Sequence, residues 1–595
     1  MAHLLVIGGA SSDILHYAGK TATSAGGAGM YTAMAAHRCG VQVSLYAPRP
    51  DPIPDALRPV ADRLTTWQGP VVSPEELAHF EIAYQAGVTT YLKASLGAES
   101  SLTPDALPPD LSMYDCIHIT PLLDAQRQLT FLGACRQRGA ERICVGTFLD
   151  VCVNQPDVVR VIMDQVDYFF MNENEAVALF GSVEDAKTLP GKVLFVTLGE
   201  KGALVIQGDY ATEFPAVPSK ELDPTGAGDT FCGATVAHIL QGHHPVMAAR
   251  SATSLAAQMI EHIGPTALFW PETPPVVPLD PRVVVDESQV QKVSQLIATL
   301  PEVTPFNFTG SDLPPNGHPV ALDYFFTSTL QQFSFWTAVN GKYHQPLIAP
   351  INGEKQKGSS YLYKAYLRHL DDDPEFYTPA RQAEVTRSEM LDLFRADDGT
   401  DPMPALELHL AQARGYGQDM LALKLTPSEV VRQAQTSSRP LGTFFGLLDQ
   451  IGGYKEDPLR KKTGLLALSL NQRPEVYLSF GKDEEVTPVI DYHVMRSCLR
   501  IGLVDVVDRE LSKKLADRQV LEPADEWAVR HPAYIAIEQV VANSGKSMGA
   551  VDWFFFNSRK RCPEMTEPVC QRCQVDPVCA HRIELFQPVL RTTFY

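Results

Sequence analysis

The sequence predicts an α/β N-terminal domain, built on a mostly parallel sheet with flanking helices, followed by a mostly α C-terminal domain. Three observations carry this. A chain of 595 residues is too long for one hydrophobic core. Short apolar runs alternate with helical periods through residues 1–268. A proline-rich stretch then marks the point where that alternation stops and long helical periods begin.

The N-terminal runs are "HLLVIGG", "QVSLYAP", "CIHIT", "RICVGTF", "YFFMN" and "VLFVTLG". Each is apolar throughout rather than alternating, the pattern of a strand covered on both faces. Segments such as "GMYTAMAAHRCG" lie between them with helical spacing. "FWPETPPVVPLDP" has neither period. Proline fixes φ and lacks an amide donor, so residues 269–284 are expected to be a semi-rigid linker. Residues 285–595 then read as long helices ("VDESQVQKVSQLIATL", "SEMLDLFRA", "LELHLAQARGYGQDMLALKL") with few strand candidates.

Composition narrows the function class. Hydrophobic residues make up 45% and charged residues 20%, ordinary for a globular chain. The formal charge of −20 argues against a nucleic-acid footprint, which needs a basic face, although the acidic excess is concentrated in the first 280 residues. No apolar run approaches a membrane span, and "MAHLLVIGGASSD" lacks the basic start and cleavage site of a leader; a cytoplasmic location without membrane attachment is expected. Most of the 11 cysteines are scattered in apolar surroundings, as suits free thiols in a reducing compartment. Cys562, Cys570, Cys573 and Cys579 are the exception.

The first chemical signal is "DPTGAGDTFCGA". Gly226 and Gly228 precede an apolar helical run, an arrangement that aims unpaired amides and a helix dipole at an anion. Asp229 lies just inside the turn. A carboxylate there repels a phosphate unless it has work to do, and the obvious work is taking a proton from an acceptor hydroxyl. A plain glycine turn capped by aspartate is the alternative. "GKT" at Gly19 and "GKS" at Gly545 are not phosphate loops, because Ile14 and Val540 stand where the upstream glycine is required.

These residues resemble the C-terminal signature of the ribokinase-like (PfkB) sugar and nucleoside kinases over roughly residues 1–270. "GGASSD" puts Asp13 where that family binds a sugar hydroxyl. "GGAGMYTAMAAHRCG" resembles its N-terminal signature, with Gly26 and Gly27 letting substrate approach the backbone, and Tyr31 departs from a frequent asparagine. "NENE" supplies Asn172 and Glu175 near Mg²⁺ and phosphate, and "VTLGEKGA" supplies Thr197, Gly199 and Gly202 beside the nucleotide. The resemblance implies Asp229 as base, the amides of Gly226, Ala227 and Gly228 as anion hole, and ATP and Mg²⁺ as cofactors. K⁺ and a homodimer are compatible additions.

The second signal is the spacing C-x7-C-x2-C-x5-C, which brings four thiolates within reach of one centre. Tetrahedral sulfur ligation suits Zn²⁺ or an iron–sulfur cluster alike. The loop, residues 562–579, resembles that of endonuclease III-like helix-hairpin-helix glycosylases, which implies a [4Fe-4S] cluster over Zn²⁺. "VIDYHVMRSCLRIGLVD" resembles the same superfamily's catalytic segment and implies Asp491, with His493 and Arg496 beside it. "RKKT" puts Lys462 where lyase-type members carry a nucleophile, although Lys461 adjoins it. The hairpin itself is degraded to "YKEDPLRKKT", which counts against DNA.

Residues 285–560 also resemble queuosine 5′-phosphate N-glycosidases, through "ALDYFFTSTLQQFSFWTAVNGKYH", "EDPLRKKTGLLAL" and "DYHV". That resemblance implies base stacking on Phe333, Phe335 or Trp336 and base reading by Asp323. The expected whole is a bifunctional salvage enzyme, in which an ATP-dependent kinase acts on a nucleoside such as queuosine and an N-glycosidase then releases the base. Two alternatives stay open: the glycosidase acts first and the kinase traps ribose, or the second half is a DNA repair glycosylase fused to a sugar kinase.

Overall fold

The computed structural model describes residues 2–17, 19–85, 88–271, 277–370 and 372–595. Of the expected linker, residues 272–276 lie outside the described residues. The chain falls into two compact units, Met1–Pro278 and Leu279–Tyr595.

In the N-terminal unit nine strands form one sheet in the spatial order Tyr210–Phe214, Ala203–Gln207, Val193–Thr197, Tyr168–Asn172, Ile143–Gly146, Cys116–Ile119, His3–Ile7, Gln42–Tyr46 and Thr66–Gln68. All neighbours are parallel except the two pairs formed by Val193–Thr197, Ala203–Gln207 and Tyr210–Phe214. All six apolar runs are strands of this sheet, and the pleat explains why they are apolar throughout. Leu4 and Val6 join one core with Met30 and Met34 of the helix Ala28–Arg38 and Phe231 of the helix Ala227–Leu240. Leu5 and Ile7 join the opposite core with Phe131 of Ala125–Gln137 and Ile162 of Pro156–Gln165.

A second sheet of four strands, in the order Lys20–Gly26, Ser11–Tyr17, His79–Gln85 and Val88–Ser95, was not legible as such. A strand such as "KTATSAG" is largely solvated and carries no apolar run. This sheet brings Asp13 and Tyr84 to the site described below.

The C-terminal unit is helical, with three two-stranded ribbons at Val283–Val285/Val504–Val506, Trp336–Val339/Lys342–Pro346 and Ile348–Ile351/Glu354–Lys357. One extended apolar cluster packs its helices, including Glu287–Thr299, Leu406–Ala422, Lys461–Gln472, Tyr492–Ile501 and Pro523–Ser544. The helix Pro440–Leu448 connects to Lys461–Gln472 through a turn in which Ile451–Arg460 are all buried. Burying that many charges requires partners. Lys455 meets Asp419 at 2.6 Å, Arg460 meets Asp449 at 2.5 Å, and Asp457 meets Arg530 at 2.7 Å. No helix among the described residues is long and apolar enough to cross a membrane.

Candidate active sites

In the N-terminal unit the glycine turn opens the helix Ala227–Leu240. Gly226 is its N-cap at φ 78°, and a Cβ added there would meet the Tyr31 ring at 2.5 Å. Both the left-handed backbone and the ring demand glycine. Asp223, fully buried, builds the turn by accepting the amides of Thr225 at 3.0 Å and Gly264 at 2.8 Å. This role was open to a sequence reading, since an aspartate two residues before a turn amide is an Asx turn. The Ala227 amide, expected in the anion hole, instead donates to Pro224 O at 3.1 Å. The amides of Gly228 and Asp229 thus stand at the helix end, where an anion is favoured.

Asp229 lies half-buried in that first turn, and burial pushes its carboxyl up to about 7. Asn172 caps the helix Glu173–Phe180 and forms a capping box with Glu175. Burial pushes Glu175 up to about 7 as well, with the nearby Asp229 charge adding to the shift against the Asn172 amide. Thr197 ends its strand, and Gly199 (φ 62°) and Gly202 (φ 116°) make the turn into Ala203–Gln207. At Gly202 a Cβ would meet Phe214 O at 2.0 Å.

The acceptor side is held by the four-stranded sheet. Asp13 Oδ1 accepts the Phe80 amide at 3.1 Å, and burial pushes this carboxyl up to about 6. A Cβ on Gly26 would sit 1.8 Å from Asp13 Oδ2, and one on Gly27 2.6 Å from Gly9 O, so both glycines make room. The Tyr31 hydroxyl is pushed well up by burial first and then by Asp223, Tyr84, Asp13 and Asp229. Asp13 and Asp229 are thus both within electrostatic reach of one buried hydroxyl. Tyr84 adds a hydroxyl contact to Thr225 Oγ1 at 3.1 Å.

In the C-terminal unit a cavity of about 310 Å³ is lined by Phe335, Lys461, Asp491, His493, Asp552 and Arg559, among others. Asp491 is the N-cap of Tyr492–Ile501; its Oδ1 accepts the Val494 amide at 2.9 Å. Asp552 was missed by sequence reasoning because the apolar run "VDWFFFN" reads as plain core. Burial, reinforced by Asp491, pushes its carboxyl up to about 8. Lys461 Nζ donates to Gln332 O at 3.0 Å, and burial brings its ammonium down to about 8. Arg559 Nη1 is buried without a hydrogen-bond partner, and its guanidinium lies 3.4 Å over the Phe556 ring. On the aromatic wall Phe306 stacks on Trp553 with centroids 4.2 Å apart.

Four expected residues, Lys462, Trp336, Asp323 and Phe333, are not among those lining this cavity. Lys462 instead donates to Leu330 O at 3.0 Å and lies over Phe333, because successive positions on a helix point about 100° apart. Trp336 packs in a separate cluster with Tyr343, Phe586 and Val589, under Arg591 at 4.0 Å. Asp323 sits on the helix Ala321–Leu330, where burial raises its carboxyl to about 6. Of the aromatic stripe, Phe335 lines the cavity, whereas Phe333 stacks on His409 at 4.1 Å.

Cys562, Cys570, Cys573 and Cys579 all line one small cavity of about 40 Å³. Arg500 Nη1 donates to Cys562 Sγ at 3.2 Å, and the His581 amide to Cys579 Sγ at 3.4 Å. Four sulfurs lining one pocket fit a sulfur-ligated centre. Among the described residues the group whose ligand atoms lie within 4.8 Å of one another is Cys570, Asp576 and His581; the four sulfurs are spread wider than that.

Comparison with known proteins bears on the N-terminal unit. The model of the pfkB family of carbohydrate kinases matches residues 90–273. A cytidine kinase of Thermococcus kodakarensis is 30% identical over 255 residues, covering 41% of this chain and 90% of that protein. A ribokinase of Bacillus subtilis is 26% identical over 284 residues, 44% of this chain and 94% of that protein. A solved ribokinase of Cryptococcus neoformans var. grubii serotype A in complex with ADP shares 21% identity, covering 47% of this chain and 98% of its own, with a TM-score of 0.39.

Proposed function

Since the chain belongs, through its N-terminal unit, to the pfkB family of carbohydrate kinases, we propose that this unit phosphorylates a nucleoside, and that the C-terminal unit hydrolyses the N-glycosidic bond of the product. Kinase activity toward a sugar or nucleoside follows from the family; the nucleoside, the base release and the coupling are our reading. The observation that carries the first step is Asp229 behind the Gly226 turn. There it takes the acceptor hydroxyl's proton while the Gly228 and Asp229 amides receive charge on the transferred phosphoryl group. ATP is the phosphoryl donor. Asn172 and Glu175 would hold Mg²⁺ beside it, and the mutual repulsion of the Glu175 and Asp229 carboxyls suits a cation. The cytidine kinase relative supports a nucleoside acceptor over free ribose.

The second step is supported by the pairing of Asp491 with Asp552 in an aromatic-walled cavity. Neighbouring carboxyls whose environments differ divide the roles of base and acid. Asp491 stabilises positive charge at the anomeric carbon and orients water, and protonated Asp552 gives its proton to the departing base nitrogen. The C–N bond breaks, water supplies the hydroxyl at the sugar, and its second proton passes to Asp491. A 7-deazaguanine base such as that of queuosine is the substrate we favour. The four cysteines would hold a [4Fe-4S] cluster or Zn²⁺ that cross-links the C-terminal loop. The buried, internally paired turn Ile451–Arg460 leaves no exposed hairpin to grip DNA phosphates, which disfavours a repair glycosylase.

The kinase reading is tested by ADP formation with a panel of nucleosides and free pentoses across pH. Because Asp229 must be ionised to act as base and is held near 7, kcat/KM should fall about tenfold per pH unit below that value. A flat profile down to pH 5, or a preference for free pentoses, would reject it.

A further inference from the structure

We propose that Glu564 is a positioning residue that carries the order of the metal-holding cysteine loop to the C-terminal cavity, making an occupied cysteine site a condition for nucleotide binding there. The inference rests on the reading of that cavity as the base-releasing site. One helix, Tyr492–Ile501, connects the two places: Asp491 at its start and His493 line the cavity, and Arg500 and Ile501 at its end line the cysteine pocket. Arg500 ties its end down, donating to Cys562 Sγ, to Pro563 O at 2.9 Å and to Leu585 O at 2.9 Å.

Glu564 ties the start. It stands two residues beyond Cys562, is buried, and accepts the Tyr343 hydroxyl at 2.6 Å. It also pairs with Lys357 at 3.1 Å and Arg496 at 3.4 Å. Arg496 donates onward to Gln587 at 2.7 Å and to His493 Nδ1 at 3.0 Å. A guanidinium donor at Nδ1 fixes the neutral tautomer with its hydrogen on Nε2, which makes that nitrogen a donor for a ligand. Burial, then Arg496, holds His493 well below its usual range, so its 3.9 Å approach to Glu564 is not an ion pair.

The direction of control follows from the loop. Between Cys562 and Cys579 the chain contains two 3₁₀ turns, Cys570–Arg572 and Asp576–Val578, and no α-helix or strand. A segment with so little structure of its own is ordered by what cross-links it, and a metal bound by its cysteines is such a cross-link. Losing the metal frees Glu564, which leaves Arg496 buried without its carboxylate and His493 without a fixed orientation.

The test uses the full chain as purified anaerobically, the same protein stripped of metal, and Glu564→Gln. Hydrogen exchange over residues 492–496 should rise in both altered proteins while ADP formation by the kinase unit is unchanged. Glu564→Gln should keep wild-type metal content yet raise the KM for base release about tenfold. Wild-type exchange and KM in Glu564→Gln at full metal content would overturn the proposal. Should Glu564→Gln lose metal or fold, Tyr343→Phe, which removes a single hydrogen bond to Glu564, decides: a raised KM at full metal content supports the proposal and an unchanged one overturns it. If wild-type protein releases no base from any nucleotide, the reading of the cavity fails, and the exchange comparison still decides the coupling.

Discussion

Asp229→Asn should lower ATP-dependent phosphorylation about 10²- to 10⁴-fold, the range for removing a general base, with little change in stability. The substitution is nearly isosteric. Asp229 lies in the first turn of Ala227–Leu240, and burial raises its carboxyl, destabilising the charged form. Neutralising it therefore removes the proton acceptor without breaking a bond that supports the turn, which Asp223 and Gly226 maintain. Steady-state ADP release, with thermal unfolding as the control for fold, measures both parts. Full activity in the variant would remove Asp229 from the mechanism.

Asp491→Asn should reduce base release about 10²- to 10⁴-fold while leaving the kinase unaffected. Asparagine keeps an oxygen for the Val494 amide, so the cap of Tyr492–Ile501 survives. The charge opposite the anomeric carbon does not. Because Asp491 contributes to the raised state of Asp552, the same change should also lower the pKa of Asp552 and shift the alkaline limb of any residual base release to lower pH. Chromatography of released base across pH reads both effects. Wild-type release in Asp491→Asn would move the chemistry to another residue of the cavity.

Much of the N-terminal unit was legible because its physics is local. A doubly covered strand must be apolar on both faces, so Leu4 to Ile7 announce themselves, and a glycine turn before a helix carries its own signature at Gly226. The four-stranded sheet was hidden because Lys20–Gly26 is largely solvated and carries no apolar run, and Ser11–Tyr17 buries only every second side chain. In the C-terminal unit the failures share a cause. Lys461 and Lys462 are adjacent in sequence and about 100° apart on a helix, and only the packing of Lys462 against Leu330 and Phe333 decides that Lys461 is the one lining the cavity. Trp336 and Phe335 diverge similarly at the start of a strand. Asp552 and Glu564 are single acidic residues whose importance lies in partners far along the chain, which no local pattern reports.

The most direct test of the two-step account is base release from a nucleoside panel that includes queuosine, by anaerobically purified protein with and without ATP. The account predicts release only with ATP, preceded by a phosphorylated nucleoside and abolished in Asp229→Asn. Release at the same rate without ATP would contradict it and make the kinase a scavenger of the freed sugar.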